Sequence, residues 1–207
     1  MTPTRCRASA ALLLLLLATC ARRDLAPLAP DGVAVVSRAN WRAAPAVPPV
    51  RAHVPTRITI HHTATLRRPE RPVGDKLRAL QQWSQRDDSL SDGRRKPAWP
   101  DVPYHLYVAA DGSVGEGREW RWVGDSNTPY DPTGHFLVVV EGSFNREEPS
   151  TEQVAALEAV VRAAARRWRI PPEGIAAHRD FASTSCPGDH LYALLPRLRD
   201  LVARDTT

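Results

Sequence analysis

Three residues far apart in the chain carry side chains suited to one borderline-soft cation: His61, His178 and Cys186. Imidazole nitrogen and thiolate sulfur are preferred zinc ligands. Two imidazoles and one thiolate leave a fourth tetrahedral position open for water or substrate, which is the arrangement of a catalytic site. A fourth protein ligand would instead make the site structural. Cysteine usage agrees with a metal. The chain has three cysteines, Cys6, Cys20 and Cys186. The first two lie in an N-terminal export segment, so the remainder has one thiol and no disulfide scaffold. A lone thiol in an oxidising compartment needs a reason, and coordination supplies one.

The elements that would position these residues can be read from periodicity. Residues 57–61 (RITIH) alternate with β-branched members and predict a strand that ends on His61. On a strand, His61 and His62 point to opposite faces, so only one of the pair can serve a given site. Residues 73–86 predict a helix, 87–103 a loop, and 104–109 a strand. Asp111-Gly112 turns that strand back into 113–116. The apolar run 136–140 (FLVVV) predicts a central strand buried on both faces. Ser150 and Gln153 form a capping box for a helix over 150–168, which Pro171 and Pro172 stop. Residues 174–178 predict a short strand ending on His178, and 188–203 a last helix. Strands interspersed with helices predict a single α/β domain.

The first 23 residues have the parts of an export signal. Arg5 and Arg7 precede an apolar run with six consecutive leucines, too short to span a membrane as an ordinary helix. Leu17-Ala18-Thr19-Cys20 is similar to a bacterial lipobox, with threonine where a smaller residue is usual. Two outcomes stay open: plain cleavage, or lipidation and membrane attachment through Cys20. Both export the domain, to the periplasm, the cell envelope or the medium. The expected organisation is a signal over 1–20, a linker over 21–36 and one domain over 37–207. Net charge is +5, or about +3 without Arg5 and Arg7. That suits an anionic polymer without demanding one. There is no basic stripe interleaved with aromatics, so nucleic acid is excluded as a partner. A monomer is the default expectation.

Four blocks occur in a fixed order: Ile60-His61-His62-Thr63-Ala64-Thr65; Trp99 to His105 (WPDVPYH); Asp111 to Trp120 (DGSVGEGREW); and His178-Arg179-Asp180 with Cys186-Pro187-Gly188. Together they resemble the N-acetylmuramoyl-L-alanine amidase type 2 family, which includes peptidoglycan recognition proteins and phage lysozyme-type amidases. The resemblance runs from about Ser37 to Leu198. It implies a mixed β-sheet flanked by helices, with a zinc cleft at one sheet edge and His61, His178 and Cys186 as ligands. The implied activity is hydrolysis of the amide between N-acetylmuramic acid and L-alanine in peptidoglycan or muropeptides. The alternative is a module that binds wall fragments without cutting them, and such members often lack the thiolate kept here at Cys186.

The same resemblance gives Tyr104 an active-site role and places His105 on the substrate side. Thr184 is a candidate oxyanion donor. Trp120 and Arg118 would line a glycopeptide groove, since indole faces stack on sugars and guanidinium pairs with carboxylate. Asp180 is a candidate orienter of His178, or a loop cap. Some relatives carry a general-base glutamate where Val139 stands, and Glu141, two residues on, is a candidate substitute.

Overall fold

The computed structural model describes residues 26–90 and 92–205. Eight strands run in chain order: β1 (Val35–Val36), β2 (Arg57–His62), β3 (Asp88–Ser89), β4 (Arg95–Lys96), β5 (Leu106–Val108), β6 (Val114–Glu116), β7 (His135–Val140) and β8 (Ile175–Ala177). Four helices join them: α1 (Val73–Ser84), α2 (Thr151–Trp168), α3 (Asp189–Tyr192) and α4 (Leu195–Asp205). Six strands form one mixed sheet in the order β1-β6-β5-β7-β2-β8. β5, β7, β2 and β8 are mutually parallel, and β6 runs antiparallel to β5.

Strand parity divides the core into two layers. Even positions of β2 and β7 (Ile58, Ile60, Phe136, Val138, Val140) join Leu157, Val161, Leu198 and Val202 of α2 and α4. Val139 and its pairing partner Tyr107 face the other way, with Val73 and Leu77 of α1 and with Trp41. Thus helices cover both faces of the sheet, and β7 is buried along its whole length. This is why β7 reads as a continuous apolar run rather than an alternating one.

Helix α2 begins as its sequence requires. The Ser150 side chain accepts from the Gln153 amide, and the Gln153 side chain accepts in return from the Ser150 amide. Three stretches differ from expectation. Residues 87–103 contain the short antiparallel pair β3–β4, which pairs Asp88 with Lys96 and Ser89 with Arg95. Two residues per strand are too few to show a period. The expected helix over 188–203 is broken into α3 and α4. The stretch expected as linker is packed where it is described: Leu28 is in the core, and Val35–Val36 pairs in parallel with β6 as the outermost strand. Among the described residues no helix is long and apolar enough to cross a membrane. The expected export signal over 1–20, with Cys20, lies outside the described residues.

Candidate metal centre

His61 is carried near the end of β2, one strand in from the β8 edge. It shares the sheet face of its pairing partner Val139. His62 faces the other layer, where its Nδ1 accepts from the Phe144 amide at 3.4 Å. β8 delivers His178 into a 3-10 turn over His178–Asp180. The loop then returns Cys186, whose carbonyl accepts from the Arg179 amide at 2.9 Å. Gly188 lets this loop sit close. Its φ is +87°, and a Cβ there would come within 2.5 Å of the Phe144 backbone.

These elements bring together one donor atom each from His61, His178 and Cys186, all within 4.8 Å of one another. The Cys186 sulfur is 3.7 Å from His61 Nδ1. Zinc–nitrogen and zinc–sulfur bonds of about 2.05 and 2.3 Å in a tetrahedron separate nitrogen from sulfur by about 3.6 Å. The donor set therefore fits zinc in type and in spacing. All three side chains are buried, at 2%, 7% and 8% exposure.

Burial sets their protonation. It holds His61 well below the ordinary imidazole range, and the neighbouring His178 ring adds to the effect. It lowers His178 to about 4, with a smaller contribution from His62. Both rings are therefore neutral at pH 7 and offer lone pairs. Burial pushes the Cys186 thiol up to about 12. A cation is what would stabilise its thiolate, so metal binding and deprotonation are coupled there.

The centre opens into a cleft of about 510 Å³, walled by Tyr104, Asn127 and Thr184 and by Leu90 and Arg94 of the β3–β4 turn. Thr63, Trp99, Tyr104 and Asn127 also line an adjoining cavity of about 430 Å³. The Tyr104 ring centroid is 5.2 Å from that of His61. Burial first, and then Cys186, raises the Tyr104 pKa, so its phenol stays protonated and can donate. Thr184 Oγ1 accepts from the Cys186 amide at 3.2 Å, which fixes the sulfur-bearing turn and leaves the hydroxyl proton free to point elsewhere.

Other expected site residues turn inward. Arg118, 2% exposed, gives its guanidinium to the carbonyls of Val102, Val123 and Asp101 and to the Asp125 carboxylate. It braces the strand ends, with four of its five N–H donors given to the fold. His105 accepts from the Leu137 amide at 2.8 Å, reaches the Trp122 carbonyl at 2.9 Å and stacks on Phe136. It is a satisfied core residue rather than a substrate contact. Trp120 packs on Trp168, beneath Arg167, and its Nε1 donates to the Ala26 carbonyl. Glu141 is no general base: its oxygens accept from Lys76 Nζ at 2.7 Å and from the Ala110 and Arg68 amides. Asp180 caps its turn, accepting from the Ala177 amide and the Tyr192 hydroxyl, and does not orient His178.

What does touch the outer nitrogens of the two histidines is a row of hydroxyls between β6 and β7. Thr128 Oγ1 lies 2.6 Å and Ser126 Oγ 3.3 Å from His178 Nε2, and the Tyr130 hydroxyl lies 3.5 Å from His61 Nε2. Their spacing of two residues, placed beside no recognisable element, gives little signal in sequence.

Fold and site define a class, a mixed α/β domain with a buried His-His-Cys cluster that opens into a cleft. Residues 51–189 match the N-acetylmuramoyl-L-alanine amidase family, and the chain belongs to that family. It is 32% identical over 168 residues to the N-acetylmuramoyl-L-alanine amidase of Sus scrofa, covering 78% of this chain and 27% of that one. The chain thus spans about a quarter of the curated amidases it matches. Peptidoglycan recognition protein 1 of Bos indicus is 28% identical over 169 residues, covering 81% of this chain and 85% of that protein. Among solved structures, Drosophila peptidoglycan recognition protein SD superposes with a TM-score of 0.67 at 25% identity, covering 80% of this chain and 94% of that one.

Proposed function

We propose that the chain is a zinc-dependent hydrolase that cleaves the amide between the lactyl group of N-acetylmuramic acid and L-alanine in peptidoglycan or its fragments. The observation that carries this reading is the convergence of His61, His178 and Cys186 donor atoms within 4.8 Å at the floor of an open cleft. When bound, zinc supplies Lewis acidity for amide hydrolysis at neutral pH.

The chain's own groups do the rest. Three protein ligands leave one side of the centre facing the cleft, where water and a carbonyl can enter. Tyr104, kept protonated by burial, donates to the amide oxygen as negative charge builds there. The Thr184 hydroxyl is a second donor at the cleft wall. The bond that breaks is the carbonyl-carbon to nitrogen bond of L-alanine. One water is consumed, and its protons end on the departing amine and in solvent. The N-terminal segment exports the domain, with or without a lipid on Cys20, and the domain acts as a monomer.

A related structure of recognition proteins LCa and LCx is described with tracheal cytotoxin bound, at 25% identity and a TM-score of 0.66. That likeness, and the 85% coverage of the bovine recognition protein, favour a second reading in which the cleft binds fragments without cutting them. Release of stem peptide from purified cell wall decides between the two. The hydrolase reading expects peptide release that stops on chelation and returns with zinc. Binding to wall without release, with zinc present, supports the recognition module instead.

A further inference from the structure

The metal reading rests on His178 presenting one particular nitrogen. A histidine ligand keeps its ring orientation and tautomer only if its other nitrogen is held. Carboxylates often do this, and Asp180 stands two residues away, but both its oxygens are already used by Ala177 and Tyr192. The contact His178 does make is with Thr128 Oγ1 at 2.6 Å. Ser126 Oγ lies 2.7 Å from that hydroxyl and accepts from the Thr128 amide at 3.2 Å.

We propose that Thr128, backed by Ser126, is a positioning residue that holds His178 Nε2 and thereby commits Nδ1 to the cation. The proton directions close. Nε2–H donates to Thr128 Oγ1, the Thr128 hydroxyl donates to Ser126 Oγ, and the Ser126 oxygen also takes the Thr128 amide. The opposite polarity would put a hydroxyl proton on the Nε2 lone pair and leave the ring proton on Nδ1, where no metal can bind. The loop that carries these hydroxyls is itself pinned. Gly124 packs so closely that a Cβ would meet Leu137 at 2.3 Å and the Pro103 carbonyl at 2.5 Å. Next to it, Asp125 is paired with the buried Arg118. The inward-turned arginine thus anchors the residue that precedes Ser126.

The inference depends on the zinc reading above, and two readouts separate them. Zinc affinity is measured by competition with a chromophoric chelator for the full chain, Thr128→Val and Thr128→Ser. Valine keeps the shape and removes the hydroxyl, whereas serine keeps the hydroxyl. The expected result is a loss of roughly tenfold or more for Thr128→Val, near-wild-type affinity for Thr128→Ser, and unchanged melting of the metal-free proteins. Equal affinity of Thr128→Val and wild type overturns the role of Thr128 and leaves the metal site standing. No zinc uptake by the wild type overturns the metal site itself. Should the valine variant fail to fold, imidazole nitrogen–proton correlation spectra of the zinc-loaded wild type decide the matter: an Nε2–H tautomer at His178 supports the proposal, and an Nδ1–H tautomer overturns it.

Discussion

Two buried polar clusters among the described residues behave oppositely. In one, Arg118, His105 and Asp101 spend their donors and acceptors on backbone carbonyls and amides and on ion pairs with Asp125 and Arg38. In the other, His61, His178 and Cys186 bring one donor atom each within 4.8 Å of one another, with the Cys186 sulfur a weak 3.7 Å from His61 Nδ1. Both clusters are buried. The difference is whether the polar atoms are consumed by the fold. A saturated cluster is a brace, and a buried cluster with lone pairs left over is a site for something else.

The largest effect that separates the two clusters is expected from Cys186→Ser. Wall-cleaving activity should fall by orders of magnitude while the thermal transition of the metal-free protein moves little, measured by peptide release and circular dichroism. Arg118→Met should do the reverse. Removing the guanidinium strands buried carbonyls and the Asp125 carboxylate, costing about 3–5 kcal/mol of unfolding free energy. The folded fraction should still take up zinc, which denaturant titration with and without the metal would show. Tyr104→Phe removes one hydrogen-bond donor at the cleft and no ligand. A fall in kcat of about 10²-fold with zinc affinity unchanged is expected; a matching loss of zinc would make Tyr104 part of the metal's own support.

The smallest effect is a pH dependence of stability from the brace. Burial holds His105 at about 3, against an ordinary value near 6.5. Between those values the unfolded chain binds a proton that the folded chain does not. Stability is therefore full above pH 6.5 and is lost as pH falls toward 3, by at most ~1.4 kcal/mol per pH unit for this one ring. Burial likewise lowers His135, to about 4, so it acts in the same direction. Urea unfolding at pH 7, 6 and 5 checks the sign, and a midpoint that rises on acidification contradicts it.

The residues of the metal centre were legible through the four ordered blocks rather than through residue type, since a histidine at a strand end is more often a surface or core residue. Strand parity separates His61 from His62. The long elements were legible for a related reason: the capping box at Ser150 and the apolar run of β7 are local signals. The groove was not legible. Arg118 and Trp120 have the right chemistry for a glycopeptide, but whether a side chain after β6 faces the cleft or the core is set by packing against Val102 and Trp168, distant in sequence. Likewise, the β3–β4 wall and the hydroxyls of Ser126, Thr128 and Tyr130 are too short or too ordinary to leave a pattern.

The most direct test is a crystal structure of the zinc-soaked protein, with data collected on both sides of the zinc absorption edge. One anomalous peak is expected, about 2.0–2.3 Å from a nitrogen of His61, a nitrogen of His178 and the sulfur of Cys186, with a non-protein fourth ligand facing the cleft. A peak bound by four protein side chains, or none near these three, would contradict it.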